Sequence, residues 1–195
     1  QTSTTLLVQT LKALGANVTY YIPIRGKESH GVHIESLKPI LDNGTKLIVT
    51  CDTGITAHEA IEYANSRGVD VVITDHHDVG ETLPNAKAII NPKLLPENHP
   101  LKNLAGVGVA YKLAEALLAE NYPSELANLL DLVALGLIAD VALLKGETRA
   151  LAQKGIEALR KTNRLGLKVI AELSGTALET LTEETIGFTF APRLN

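Results

Sequence analysis

The sequence contains no tryptophan and no methionine, two phenylalanines and a single cysteine, Cys51. One thiol cannot form an internal disulfide, so a cross-linked secreted scaffold is excluded and a reducing cytoplasm fits. Aromatic residues make up 4% of the chain, so a core must be built from Leu, Ile, Val and Ala, side chains that suit a helix-covered parallel sheet. No apolar run reaches membrane-spanning length, and no charged-then-apolar signal opens the chain, so a membrane partner is not expected. Basic residues are not in excess: 18 Lys and Arg against 22 Asp and Glu leave a formal charge of −4, which provides no basic field for nucleic acid. Clustered acids can still hold a metal ion whose own charge attracts phosphate. Internal repeats and low-complexity linkers are missing too. The chain opens at Gln1 on what reads as the first turn of a helix already under way, so the natural protein is expected to continue upstream.

What is present is a chain of 195 residues, 45% hydrophobic, enough for one domain or one domain with a helical extension. Leu6, Leu7, Leu11 and Leu14 at helical spacing predict a helix over 2–14, stopped by Gly15. Val18–Ile22 reads as a strand cut off by Pro23, followed by a glycine-bearing loop over 24–31. Ile34, Leu37, Ile40 and Leu41 mark a helix closed by Asn43-Gly44. Leu47–Cys51 reads as a strand, and Thr56 with Glu59 forms a capping box for the helix after it. Val69–Thr74 and Ala86–Ile90 are further strands. This alternation predicts an α/β fold, a parallel Rossmann-like sheet with helices on both faces. After Pro100 the chain turns helical, with helices from Leu104 to about residue 120, from Leu126 to Leu137 capped by Ser124, and from Glu147 to Lys161. Residues 1–100 are expected to be the α/β part and 101–195 the helical part of one domain.

Thr74-Asp75-His76-His77-Asp78 follows the apolar run Val69–Ile73, which places two imidazoles and two carboxylates at the carboxyl end of a buried strand, where open α/β sheets bind ligands. Such a cluster is either a metal site or a polar turn capping the next helix. Asp52 ends the preceding strand. Neighbouring parallel strands lie about 5 Å apart, so Asp52 and Asp75 can converge on one ion or on two ions sharing a ligand. Taken alone, an Asp at a strand end such as Asp52 is more often a helix cap or turn former than a ligand. Asp140 closes the apolar run Leu132–Ala139, and its carboxylate is either at the surface or paired. Oxygen ligands with one imidazole suit Mn²⁺ or Mg²⁺ better than a structural zinc. Cys51 reads as a core residue pointing away from Asp52, and His30, His33, His58 and His99 as surface residues. Gly106 and Gly108 lack the third glycine of a dinucleotide fingerprint and are better explained by close helix packing.

With Asp52-Thr53-Gly54, Asp75-His76-His77 and Asp140 in this order, the chain resembles the DHH phosphoesterase superfamily, and within it the RecJ-type single-strand-specific exonucleases. Tyr21-Ile22-Pro23 with Arg25, Asn91-Pro92-Lys93, Leu104–Ala110, Ile138–Val141 with Arg149, and Ala191–Asn195 extend the resemblance over essentially the whole chain. It implies a pair of Mn²⁺ or Mg²⁺ ions, with Asp52 bridging them, His76 and Asp140 completing one, Asp75 orienting the site by hydrogen bonds, and His77 facing the scissile phosphate. The implied activity is hydrolysis of phosphodiester bonds from the 5′ end of single-stranded DNA by a two-metal mechanism, in DNA repair and recombination. Arg25 and Arg193 are the candidate phosphate contacts.

Members of the superfamily carry an Asp-x-Asp-x-Asp-Gly motif just ahead of a helix like Thr2–Thr5 here. The chain starts after it, so the 195 residues are expected to bind at most one divalent ion weakly and to have little nuclease activity. Two alternatives stand beside this reading. One is another phosphoesterase of the superfamily, acting on oligoribonucleotides, cyclic dinucleotides or pyrophosphate. The other is a non-catalytic interaction module, in which metal ligands would be lost; Asp52, His76 and Asp140 are all present.

Overall fold

The first periodic stretch, with Leu6 and Leu7 buried, forms helix α1 (Thr2–Ala13), and Gly15 turns the chain out of it at φ +81°. The computed structural model describes residues 1–24, 26–28 and 30–194. These fall into two units, Tyr20–Lys102 and a second made of Gln1–Thr19 with Asn103–Asn195.

In the unit Tyr20–Lys102, helix α2 (Ile34–Asp42) precedes strand β1 (Leu47–Cys51), helix α3 (His58–Ser66), strand β2 (Asp70–Thr74) and strand β3 (Ala88–Ile90). The sheet is parallel in the order β1-β2-β3, with Leu47 opposite Asp70, Cys51 opposite Thr74 and Thr74 opposite Ile90. Leu37 and Leu41 of α2 and Ala60, Ile61 and Ala64 of α3 pack on Val69, Val71 and Ile73. Each fully buried Leu or Ile here is worth about 1.5–3 kcal/mol relative to exposure, and together they fix where β2 ends and so where Asp75 begins.

Two expectations about this unit are corrected. Val18–Ile22 forms no strand: among the described residues nothing pairs with it, and Tyr20 is 69% exposed. A β-branched run lacking a neighbour cannot form a ladder. Thr56 does not cap α3, whose N-cap is Ala57. The helix starts at His58, so Glu59 stands at its second position rather than the third that a capping box needs.

The second unit is helical. α4 (Gly106–Leu118), α5 (Pro123–Ala127), α6 (Leu130–Ala139), α7 (Gly146–Arg160) and α8 (Leu165–Leu173) follow in order. Ser124 lies inside α5 instead of capping a longer helix, because Pro123, with its φ preset for a helix, starts that turn. α6 is buried from Asp131 through Leu137 and forms the centre of the unit. α1, α4 and α6 meet at Gly136, where an added Cβ would lie 2.6 Å from both Thr2 Oγ1 and Val107 Cγ1. α1 therefore packs with helices far along the chain. Asp131 accepts from Arg164 Nε at 2.8 Å and Thr162 Oγ1 at 2.7 Å, which pairs its buried charge. Lys112 of α4 donates to Glu147 of α7 at 2.7 Å. A π-helical turn over Ile186–Phe190 leads into Ala191–Leu194. Among the described residues, no helix is long and apolar enough to cross a membrane.

Candidate metal centre

The site grows out of the ends of β1 and β2. Asp52 N donates to Thr74 O at 2.8 Å, extending the ladder one step past β1. Asp52 then takes φ +63°, a left-handed conformation that Asp tolerates better than most side chains and that costs about 1 kcal/mol or more. Two hydroxyls hold this turn: Thr74 Oγ1 donates to Thr50 O, and Thr50 Oγ1 donates to Thr53 O, each at 2.7 Å. Gly54, at φ +112°, lies so close to Thr50 that a Cβ would come within 2.9 Å of Thr50 Oγ1.

Asp75 is the anchor behind the site. Its side chain is 1% exposed, yet both oxygens are satisfied. Oδ2 accepts from Ile55 N at 2.9 Å, while Oδ1 accepts from His76 N at 2.7 Å, His77 N at 3.2 Å and the His77 ring at 2.6 Å. One carboxylate therefore ties the loop after β1 to the loop after β2. A carboxylate can only accept, so His77 Nδ1 carries a proton, and in the neutral ring Nε2 is the nitrogen left with its lone pair.

In front of Asp75, His76 Nε2 lies 3.0 Å from Asp52 Oδ1. Even so, Oδ1 is a buried atom with no hydrogen-bond partner among the described residues. Asp52, His76 and His77 each offer one ligand atom, all within 4.8 Å of one another. The two imidazole rings are 4.6 Å apart, centre to centre. A carboxylate oxygen left without a hydrogen bond beside two imidazole nitrogens fits a divalent cation that accepts mixed oxygen and nitrogen ligands.

The structure thus brings together Asp52, Asp75, His76 and His77. His77, read from sequence as facing phosphate, also belongs to the donor set. Asp140 lies in the helical unit as the exposed C-cap of α6, followed by Val141 at φ +52°. Arg193, in the last helical turn, donates through Nη1 to Thr189 O at 2.7 Å. Arg25 lies outside the described residues. Cys51 is half-buried instead of a core residue. Sequence reasoning gave no role in the site to Thr50, Thr74 or Asn91. Asn91 was visible before Pro92, but only the fold shows its Nδ2 donating to His77 O at 3.0 Å.

Residues 1–137 match the DHH family, N-terminal domain. The chain is 50% identical over 194 residues to the single-stranded-DNA-specific exonuclease RecJ of Bacillus subtilis (strain 168), covering 100% of this chain and 24% of the relative. It is 41% identical over 207 residues to RecJ of Escherichia coli (strain K12), covering 100% of this chain and 36% of that protein. The chain thus spans about a quarter to a third of the length of these relatives. Among solved structures, it is similar to an exonuclease RecJ bound to manganese, with TM-score 0.89 and 36% identity over 100% of this chain and 49% of that one. It is also similar to RecJ in complex with Mg²⁺ from Thermus thermophilus, with TM-score 0.65 and 30% identity over 100% of this chain and 24% of that one.

Proposed function

Because the chain belongs to the DHH family, we propose that it is one side of the active centre of a single-stranded-DNA-specific 5′ to 3′ exonuclease. The supporting observation is Asp52 Oδ1, buried and without a hydrogen bond 3.0 Å from His76 Nε2, at the carboxyl ends of adjacent parallel strands. The likeness to exonucleases of known name, one of them bound to manganese, points the same way.

In this reading Asp52 would be the shared ligand of Mn²⁺ or Mg²⁺ ions, and His76 and Asp140 would be further ligands. When bound, the ions make water acidic enough to attack a phosphodiester and offset charge on the phosphoryl oxygens. Asp75 holds His76 and His77 in place, and His77, with its free Nε2, faces the scissile phosphate. Arg25 and Arg193 contact backbone phosphates through the fork of the guanidinium. The α/β part over 1–100 and the helical part over 101–195 make one domain, acting in cytoplasmic DNA repair and recombination.

The test is a digestion of 5′-phosphorylated single-stranded DNA, duplex DNA and dinucleotides with Mn²⁺. A longer protein carrying this chain is expected to release nucleotides from the single strand, and the 195 residues alone to show little turnover. Robust turnover by the 195 residues would sink the divided-site reading, and preference for dinucleotides would replace the exonuclease reading.

A further inference from the structure

We propose that Asn91 is a positioning residue of the metal centre, holding the His77 main chain so that Asp75 can fix the orientation of its imidazole. The proposal rests on the metal reading above, but its test does not need a metal. Asn91 is 5% exposed and stands one residue beyond β3. Its amide is used at both ends: Nδ2 donates to His77 O at 3.0 Å, and Oδ1 accepts from Lys93 N at 2.8 Å. One step earlier, Asp75 N donates to Ile90 O at 3.1 Å. The loop Asp75–His77 is therefore tied to the end of β3 at both its first and its last residue.

His77 needs such a tie. Its side chain is 60% exposed, so packing does not fix the ring. The ring is held by the 2.6 Å bond to Asp75 Oδ1, and the 3.2 Å bond from His77 N to the same oxygen is longer. An imidazole held at one nitrogen still swings with its own backbone, and the Asn91 bond to His77 O removes that freedom. The position calls for an amide, because it needs a donor toward His77 O and an acceptor toward Lys93 N on one short side chain. Aspartate has the same shape but would place an oxygen against the His77 carbonyl.

The experiment is ¹⁵N NMR of the imidazole nitrogens in the metal-free chain at about pH 8, where histidines of ordinary pKa are neutral, comparing wild type, Asn91→Asp and Asn91→Ala. In wild type His77 is expected as a single tautomer protonated at Nδ1. Both variants are expected to turn it into a tautomer mixture, while His30, His33, His58 and His99 keep their signals and Asn91→Asp keeps the Lys93 amide signal. Mn²⁺ affinity measured in parallel should fall about tenfold or more, the usual size for a residue orienting a ligand. An unchanged His77 signature in Asn91→Asp overturns the proposal. So does movement of all the histidines together, which would make Asn91 a residue of the fold alone. Wild type that binds no Mn²⁺ would instead remove the metal reading and leave the His77 result to stand on its own.

Discussion

Asp52 Oδ1 lies 3.0 Å from His76 Nε2 and yet accepts no hydrogen bond from the described residues, although the atom is buried. Leaving such an oxygen unsatisfied costs about 1–3 kcal/mol or more for a charged group, and the fold adds the left-handed backbone of Asp52 to that cost. Strain and an orphaned acceptor at the same residue, beside two imidazoles, are what a site built around a cation requires.

Asp75 is expected to set the geometry of this site. In Asp75→Asn, an amide nitrogen replaces one of the two accepting oxygens, so either Ile55 N or the His76–His77 donors lose their partner. Mn²⁺ affinity should fall about 10- to 100-fold, read by calorimetric titration. Asp75→Ala should in addition cost about 1–3 kcal/mol of stability in urea unfolding for the stranded Ile55 N–H. Unchanged Mn²⁺ affinity in Asp75→Asn would show that the carboxylate does not orient the ligands.

Gly54→Ala should damage the same site from the β1 side. The new methyl would meet Thr50 Oγ1 at 2.9 Å and Thr50 Cβ at 3.3 Å, on a backbone at φ +112°. A loss of about 1–3 kcal/mol in urea unfolding is expected, with weaker Mn²⁺ binding as Asp52 shifts. Equal stability in both proteins would mean that the turn is slack.

Asp131 supplies the control. Asp131→Ala strips Arg164 of its carboxylate and should cost about 1–3 kcal/mol, since the guanidinium is partly exposed and keeps its bonds to Gln9 Oε1 and Asn128 O. Folded Asp131→Ala should bind Mn²⁺ as wild type does, so a parallel loss of affinity would contradict the assignment of Asp131 to the fold alone.

Glu147 gives a pH dependence of known sign. The hydrogen bond and charge of Lys112 hold its carboxyl below the ordinary 4.5. Burial pulls the Lys112 ammonium down, but its bonds to Glu147 and Glu115 outweigh this and leave it above 10.5. The Glu147 contribution is therefore complete above pH 4.5 and lost as pH falls through the lower folded value. That of Lys112 is complete below pH 10.5 and lost as pH rises through its folded value. Glu147 is 39% exposed, so Glu147→Gln should cost less than about 1 kcal/mol at neutral pH. Urea midpoints of the two proteins should converge in acid; a gap that widens there would reverse the sign.

The sheet and the donors near its end were legible in the sequence because β1 and β2 are β-branched runs ending in acids, and parallel pairing brings such ends together. Val18–Ile22 has the same composition and forms no strand, since pattern states what a segment suits and says nothing of whether a partner strand lies beside it. Thr56 with Glu59 and Ser124 looked like caps, but a helix start is set by tertiary context and by Pro123. The roles of Asn91, Thr50 and Thr74 were hidden because a polar residue near a strand end looks the same whether it faces solvent or bonds to a loop far along the chain.

Isothermal titration of the 195-residue chain with Mn²⁺, repeated on Asp52→Ala and His76→Ala, tests the metal centre most directly. One weak site in the wild type, lost in both variants while their circular dichroism is unchanged, is the expected result. Binding that survives in either variant would contradict a cation held between Asp52 and His76.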